Sequence, residues 1–372
     1  MRFCLASGQA NWGGGERLIW SLRCELLKAG HQVAWVVRQG EPLHQLVLQA
    51  GDTILATHRG RGIHPGQWSA VGRGLRQWLP DALLMNDSHA IMLAGSAALA
   101  CGRARPLRLA FRHVTFPIRS PLKLRLMADH VICVSAAAQA TVLAAGFRPE
   151  CTHLIYGGVE VPVPDPTARQ WAERELGLTA DTPLLVCIGN LLECKGHIPL
   201  IEAAALVQQQ LPEFRLAIAG EGPLRDSLVR RIQELRLDQT VQLLGFRQDA
   251  DRWLQAASVL VHPSLQEGLS LVLIQAQMLE KLIVSTGVGG SSEVLGLQEA
   301  QPCRAWLARP GEPTSLAEQM LAATRRWQTE RNARSTSLTA ELQWAAQRAR
   351  NKFDIQQNMV QLVQLVQRLK HA

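Results

Sequence analysis

Residues 184–196 read LLVCIGNLLECKG, and this stretch decides the fold class. Five apolar residues that end at a glycine are typical of a β-strand buried on both faces of a sheet. The periodicity over 198–210 then predicts a helix, and residues 214–219 predict the next strand. Short buried strands that alternate with helices indicate a parallel sheet with helices on both faces. We therefore expect a doubly wound α/β unit here.

The same alternation extends in both directions along the chain. Further strands are predicted over 3–7, 32–37, 82–85, 107–111 and 131–134 in the first half, and over 241–244, 258–262 and 282–285 in the second. Between the halves, residues 161–166 read VPVPDP, and three prolines cannot continue a helix or a central strand.

The proline segment predicts a linker between two domains. We expect an α/β protein of two Rossmann-like, doubly wound domains that face a cleft, over 1–162 and 167–352. A last amphipathic helix, within 353–372, is expected to pack back on the first domain.

Composition limits the class of protein. Of 372 residues, 47% are hydrophobic and 19% are charged, which is normal for a globular chain and excludes disorder. We expect no signal peptide in the first residues, and the longest apolar helical stretch, 90–101, is shorter than the ~20 residues of a membrane span. The eight cysteines form no C-x-x-C pair, so we expect reduced thiols and no zinc site. These features predict a cytoplasmic protein.

Positive charge is concentrated in the first half. The net charge of +8 lies entirely within residues 1–160. Between Ser88 and Ala128 there is no acidic residue, and the basic residues there are Arg103, Arg105, Arg108, Arg112, Arg119, Lys123 and Arg125. Such a patch attracts phosphate on a glycan, a lipid or a nucleic acid. Nucleic acid is not expected, because aromatic residues are 5% and no binding module is evident. A solvated face without a partner is the alternative.

Three loop motifs carry the chemistry. Residues 13–17, GGGER, open a helix after a strand, where backbone amides can approach an anion or simply form a turn. Lys195 stands in a glycine-bounded loop after a strand, which suits a diphosphate; a surface lysine is the alternative. Glu267, in PSLQEGLSL over 263–271, can accept hydrogen bonds from sugar hydroxyls. The alternative is a glutamate at the start of a helix that only interacts favourably with the helix dipole.

Eight short motifs, taken in order, resemble the large family of retaining GT-B glycosyltransferases, the family-four type. They are GGGER (13–17), VS (134–135), IYGGVE (155–160), the G…KG loop (189–196), GEGP (220–223), LGF (244–246), the PS…EG segment (263–268) and the GG…E segment (289–293). The resemblance covers roughly residues 1–325. It implies a GT-B fold and a nucleotide-diphosphate sugar as co-substrate, with no cofactor and no metal.

The resemblance also implies roles for individual residues. Lys195 would clamp the diphosphate, Glu267 would bind donor-sugar hydroxyls, and His113 would contact the donor sugar; these three form the implied catalytic set. The implied donor-binding residues are Gly14, Gly15, Asn190, Lys195, Glu221, Gly222, Gly245, Phe246, Glu267, Gly268, Leu269, Ser270, Leu271 and Gln275. The implied acceptor side holds Glu16, His89 and Arg112, although His89 could equally be an ordinary loop histidine.

The implied chemistry needs no protein nucleophile. A departing nucleotide diphosphate gains negative charge, and Lys195 with helix-terminal amides would stabilise it. The chain departs from the family pattern at Asn190, where Arg is usual, at Gln275, where Glu is usual, and at Gly157, where Asn is usual.

We predict transfer to an anionic cell-envelope glycan or glycolipid, such as lipopolysaccharide core, at the inner face of a membrane. The departures leave two alternatives open, a non-catalytic sugar-nucleotide-binding homologue and a GT-B enzyme that epimerises or phosphorolyses sugars.

Overall fold

The computed structural model describes residues 1–59, 64–301, 303–333 and 336–371, with the side chains of 331–337 left aside. Contacts divide the chain into two compact units. The N-terminal unit comprises Met1–Glu160 and Phe353–Ala372, and the C-terminal unit comprises Val161–Lys352. Each is a parallel-sheet α/β unit, so the predicted fold class is confirmed.

Within the described residues, the N-terminal unit contains a seven-stranded parallel sheet in the order β3-β2-β1-β4-β5-β6-β7. The strands are β1 (Arg2–Ser7), β2 (Gln32–Arg38), β3 (Thr53–His58), β4 (Ala82–Met85), β5 (Leu107–Arg112), β6 (His130–Cys133) and β7 (Thr152–Leu154). The strand order reverses between β1 and β4, and a crevice opens at the carboxyl ends of strands at such a switch point. Two strands that the sequence did not predict, β3 and β7, are the two edge strands of the sheet and are less apolar than the central ones.

Helices cover both faces of this sheet. They are α1 (Gly14–Lys28), α2 (Pro42–Gln49), α3 (Pro65–Trp78), α4 (Ser88–Ala90), α5 (Ser96–Leu99), α6 (Pro121–Met127) and α7 (Ala136–Ala144). Proline in the first turn starts α2, α3 and α6, because a helix N-terminus does not need that N–H. The helix expected over 90–101 is interrupted by a π-helical turn, Ile91–Gly95.

Alternate residues of each strand enter opposite core layers. Phe3 and Leu5 of β1 pack in one hydrophobic cluster, and Cys4 and Ala6 pack in the other. All four side chains are fully buried. Because both faces are covered, the strand is a continuous apolar run rather than an alternating one.

The C-terminal unit repeats this architecture. Its described strands form a six-stranded parallel sheet in the order β10-β9-β8-β11-β12-β13. The strands are β8 (Leu184–Ile188), β9 (Arg215–Ala219), β10 (Val241–Gly245), β11 (Val259–His262), β12 (Leu282–Ser285) and β13 (Trp306–Leu307). The helices are α8 (Ala168–Leu176), α9 (His197–Gln210), α10 (Arg225–Glu234), α11 (Ala250–Ala256), α12 (Leu271–Met278), α13 (Gly290–Val294), α14 (Pro313–Ala333) and α15 (Thr336–Phe353).

The final helix, α16 (Ile355–His371), returns to the N-terminal unit. Its residues Met359, Leu362 and Val366 join the hydrophobic cluster of Phe3 and Leu5. Across the described part of the chain, no helix combines the length and apolarity that a membrane crossing requires.

Candidate active site

The carboxyl ends of β8 and β11 bring together Lys195 and Glu267. These strands are neighbours in the C-terminal sheet, so the loops that follow them lie side by side. Lys195 ends a short 3-10 turn, and its Nζ donates a hydrogen bond of 2.6 Å to Glu267 Oε2. Two of the residues implied for donor binding are therefore in direct contact.

Glu267 is buried and ionised. Burial alone would raise the pKa of this carboxyl, but Lys195 and His262 lower it to about 2. The Oε2 atom also lies 3.3 Å from Ser264 Oγ and 3.3 Å from His262 Nε2. Among the described residues, Oε1 accepts no hydrogen bond, so this oxygen can accept one from a ligand hydroxyl.

The segment after Glu267 leads directly into a helix. Ser270 caps α12, where its Oγ accepts a hydrogen bond from Leu273 N at 3.3 Å, and the same hydroxyl lies 2.9 Å from His262 Nε2. The implied residues Gly268, Leu269 and Leu271 belong to this segment or to the first position of the helix. Amides at such a helix N-terminus can stabilise a phosphate.

Two glycines allow another loop to approach Glu267. Gly290 N donates a hydrogen bond of 3.1 Å to Glu267 O. A Cβ atom at Gly289 would lie 2.2 Å from Glu267 O, and one at Gly290 would lie 1.9 Å from Gly268 O. Any side chain there would push the Glu267–Gly268 backbone away, which gives the GG motif a physical reason.

Glycines also bring together the loops after β8 and β9. A Cβ atom at Gly220 would lie 1.9 Å from Gly189 O, and one at Gly222 would lie 2.5 Å from Leu191 O. Leu191 N donates a hydrogen bond of 2.9 Å to Glu221 O, which joins the two backbones. Asn190 lies inside this joined pair of loops, and its carbonyl accepts a hydrogen bond from His197.

Three implied nucleotide contacts lie next to these loops. Gly245 has a positive φ of 71°, and a Cβ atom there would lie 2.9 Å from Glu221 Oε1. Phe246, directly after it, is 54% exposed, an unusual placement for an aromatic ring and one open to stacking. Gln275 is buried and donates to Asp251 Oδ1 at 3.3 Å, so its amide is held towards α11.

The N-terminal unit holds a second polar cluster at its switch point. Asn86 follows β4, Glu16 lies in the first turn of α1, and His113 follows β5. The side-chain amide of Asn86 joins the other two side chains. Asn86 Nδ2 lies 3.0 Å from Glu16 Oε1, and Asn86 Oδ1 lies 2.7 Å from His113 Nε2. Gly15 packs against this pair, and a Cβ atom there would lie 3.5 Å from Asn86. Gly14 faces open space.

Burial perturbs both ionisable groups of this cluster. It raises the pKa of Glu16 to about 7, and the charge of Asp87 adds to this effect. It lowers the pKa of His113 to about 4. Glu16 Oε2 accepts a hydrogen bond from Gly13 N at 3.2 Å, so both carboxylate oxygens are used within the protein. The implied acceptor contact of Glu16 must compete with these bonds.

His89 pairs with a histidine that the sequence reading missed. Its Nε2 lies 3.2 Å from Nδ1 of His58, the last residue of β3. Burial, together with the neighbouring His89, lowers the pKa of His58 to about 4. Asp87 anchors the same region by accepting from Gly8 N at 2.6 Å. A polar Asn-Asp pair directly after the apolar strand β4 was the available signal for this site.

The basic patch needs one correction. Arg108 is not on a charged surface: it is 3% exposed and pairs with Asp129 at 2.7 Å. Arg105 contacts the same carboxylate at 2.6 Å. Asp129 lies one residue beyond the acid-free stretch, and the β5–β6 pairing places it beside Arg108.

Arg112 differs from these paired arginines. Its Nη2 donates to Phe116 O, and its buried Nε has no hydrogen-bond partner. Over the described ranges, it forms no ion pair with a carboxylate.

No group of three His, Cys, Asp or Glu residues in the same ranges could hold a metal ion. Operation without a metal stays a prediction.

Both halves of the chain match family models of glycosyltransferases. Residues 12–161 match the family model described as Glycosyltransferase Family 4, and residues 182–325 match the model Glycosyl transferases group 1. A D-inositol 3-phosphate glycosyltransferase of Pseudarthrobacter chlorophenolicus is 30% identical over 205 residues, 51% of this chain and 49% of that protein. The gpi3 subunit of phosphatidylinositol N-acetylglucosaminyltransferase from Schizosaccharomyces pombe is 33% identical over 172 residues, 45% of this chain and 36% of that protein. The chain thus spans about half or less of the length of these relatives.

Solved structures resemble the chain along nearly its whole length. Anabaena HepE in complex with UDP and glucose has a TM-score of 0.80 at 22% identity and covers 99% of both chains. A glycosyltransferase from Rickettsia africae has a TM-score of 0.81 at 15% identity and covers 100% of this chain and 99% of its own. The shared fold is GT-B. Because these two family models together match most of the chain, it belongs to the family-four, group 1 glycosyltransferases.

Proposed function

We propose that the chain is a retaining glycosyltransferase that moves a sugar from a nucleotide-diphosphate sugar to an anionic glycan or glycolipid. The observation that carries this proposal is the contact between Lys195 and Glu267 beside glycine-lined loops. A cation and an ionised carboxylate with a free oxygen suit the two parts of such a donor. The diphosphate needs positive charge, and the sugar needs hydroxyl acceptors.

The chemistry follows from charge development. As the glycosidic bond to the diphosphate breaks, negative charge grows on the leaving oxygens. Lys195 would turn from Glu267 towards these oxygens, and the amides before α12 would donate to them. Glu267 would then hold the sugar through its hydroxyls. The acceptor hydroxyl would attack from the face that the diphosphate leaves: its oxygen would bond to the anomeric carbon as the bond to the diphosphate oxygen breaks, and its proton would pass to that departing oxygen. No protein nucleophile is therefore assigned.

Thermal shift is the first test of the donor site. A ligand that binds the folded state raises the melting temperature according to its affinity. We expect a shift with one series of nucleoside diphosphates and their sugars, beginning with uridine, because the HepE structures contain UDP and UDP-glucose. The variant Lys195→Ala should lose the shift. Lys352→Ala, which removes a lysine paired with Glu299, is the control and should keep it.

Product analysis separates transfer from the alternatives. The anomeric coupling of the product, measured by proton NMR, should match that of the donor if configuration is retained. An epimerase would return an altered sugar nucleotide without an acceptor. A homologue that only binds would show the thermal shift but no turnover with any acceptor, and this result would refute the transferase proposal.

The proposed acceptor is anionic because the N-terminal unit offers unpaired positive charge. Arg112 is partly buried, and its Nη2 donates to the carbonyl of Phe116, but it has no carboxylate partner among the described residues. Beyond it, residues 114–127 contain no acid. In this 114–127 segment, Leu122 and Leu126 are 67% and 53% exposed, beside Lys123 and Arg125. Val114, Phe116 and Arg119 are exposed in the same segment.

Exposed leucines among cations match the surface of an anionic bilayer. We therefore propose that the 114–127 segment docks the protein on a membrane that contains the acceptor. The protein should co-sediment with vesicles of phosphatidylcholine that contain ~30 mol% phosphatidylglycerol, because these have a negative surface potential. It should co-sediment only weakly with pure phosphatidylcholine vesicles. Leu122→Ser with Leu126→Ser should abolish sedimentation. Leu48→Ser, at a position 52% exposed elsewhere in the unit, should not. Equal sedimentation of all variants would refute the proposal that the 114–127 segment docks on the membrane.

A further inference from the structure

When Glu16 is ionised, the hydrogen bonds that join Glu16 to Asn86 and Asn86 to His113 have a fixed direction. An ionised carboxylate only accepts, so the Asn86 amide must present its NH₂ group to Glu16. Its carbonyl oxygen then faces His113 at 2.7 Å. Because a carbonyl also only accepts, His113 Nε2 must carry the proton in this contact.

Both ends of this Glu16–Asn86–His113 relay make a further contact within the protein. Glu16 Oε2 accepts from Gly13 N, which stands at the N-cap of α1. The His113 ring lies parallel to the Phe111 ring, with 5.7 Å between centroids and 7° between planes. Asn86 is 3% exposed and cannot exchange its partners for water. Burial lowers the pKa of His113 to about 4, so at neutral pH the ring carries one proton only.

We propose that Glu16 and Asn86 are positioning residues that hold His113 in the Nε2–H tautomer and so present its Nδ1 as a hydrogen-bond acceptor to a sugar hydroxyl. Within the described residues, Nδ1 has no hydrogen-bond partner. The sugar hydroxyl rests on the proposed function, whereas the tautomer does not. The role differs from the acceptor contact that family resemblance implied for Glu16.

The variant Glu16→Gln reverses the relay without changing its size. The new amide group donates to the Asn86 carbonyl, because its own oxygen is taken by Gly13 N. Asn86 must then turn its NH₂ group to His113 Nε2, and the imidazole proton moves to Nδ1. Adding Asn86→Asp restores the original direction, because the introduced carboxylate accepts from both neighbours.

Nitrogen-15 NMR of the histidine rings reads the tautomer directly. The chain has 11 histidines, and the signals lost in His113→Gln identify the ring of interest. Spectra are recorded above pH 8, because the pKa of Glu16 is raised to about 7 and the carboxyl must be ionised. We expect Nε2–H in the wild type, Nδ1–H in Glu16→Gln, and Nε2–H again in the double variant. Nδ1–H in the wild type, or an unchanged tautomer in Glu16→Gln, would overturn the proposal. The wild-type spectrum can overturn the proposal even if Glu16→Gln or the double variant fails to fold.

Kinetics test the consequence for the substrate. Above pH 8, where Glu16 of the wild type is ionised, Glu16→Gln should lower kcat roughly tenfold, which corresponds to about one hydrogen bond, with a smaller change in the KM of the donor. The double variant should recover most of kcat, which a merely structural loss would not. If the tautomers are as expected but the wild type transfers no sugar, the relay stands and the proposed function fails. Unchanged kcat in Glu16→Gln, with the tautomer reversed, would overturn the role of Nδ1.

Discussion

Replacing Glu16 by glutamine should stabilise the protein at alkaline pH. The carboxyl is 6% exposed, and its pKa is raised from 4.5 to about 7 by burial. A raised pKa means that the fold favours the protonated form. The stability that protonation contributes is complete below pH 4.5 and is lost as the pH rises through about 7. At 1.36 kcal/mol for each pH unit, the loss amounts to about 3 kcal/mol.

The assay is urea unfolding at pH 5, 6, 7 and 8, with Glu16→Gln compared with the wild type at each pH so that other ionisable groups cancel. We expect the difference in free energy of unfolding to grow in favour of the variant by about 2–3 kcal/mol between pH 5 and pH 8. Glu150→Gln, an exposed glutamate in the same unit, is the control and should show no such trend. Parallel curves for Glu16→Gln and the wild type would refute the reasoning, because they would show that the carboxyl ionises freely.

Three further predictions follow from the packing and charges of the site. Glu267→Gln should remove an acid-sensitive contribution to the free energy of unfolding. The pKa of Glu267 is lowered to about 2, so its ionised form stabilises the wild type above pH 4.5, and this stability is lost as the pH falls towards 2. Urea unfolding at pH 3 and pH 7 should show this dependence only in the wild type. Gly290→Ala should lower the melting temperature and weaken donor binding, because its methyl group would meet a backbone oxygen at 1.9 Å, whereas Gly14→Ala meets nothing within 4 Å and should leave the melting temperature nearly unchanged. Arg108→Met should cost about 3 kcal/mol in urea unfolding, because it leaves a carboxylate without its buried partner, and Arg105→Met, at a more exposed position, should cost less than about 1 kcal/mol.

The sequence was most informative about the central strands. The predicted bounds 82–85, 184–188 and 282–285 agree with the structure residue for residue. These segments are buried on both faces, so every residue carries the same apolar signal. The edge strands β3 and β7 were missed because one side of each lacks a neighbour, and their sequences, TILATH and THL, mix polar with apolar residues.

Contacts between side chains that are far apart in the sequence could not be predicted from the sequence pattern. Arg108 was counted as surface charge because its partner Asp129 is 21 residues away, and only the pairing of β5 with β6 makes them neighbours. The Glu16–Asn86 contact joins residues 70 positions apart for the same reason. By contrast, the glycine pair 289–290 was recognisable as a motif, but its cause, close approach to the Glu267–Gly268 backbone, required coordinates.

The return of α16 to the N-terminal unit has a consequence for synthesis on the ribosome. The cluster around Phe3 and Leu5 needs side chains from α16, which are translated more than 190 residues after residue 160. The C-terminal unit, whose residues are continuous, can complete its fold first, while the earlier half waits with an apolar sheet face uncovered. A nascent chain of residues 1–160 should therefore be a chaperone substrate, and joining 353–371 to it through a short linker should release it.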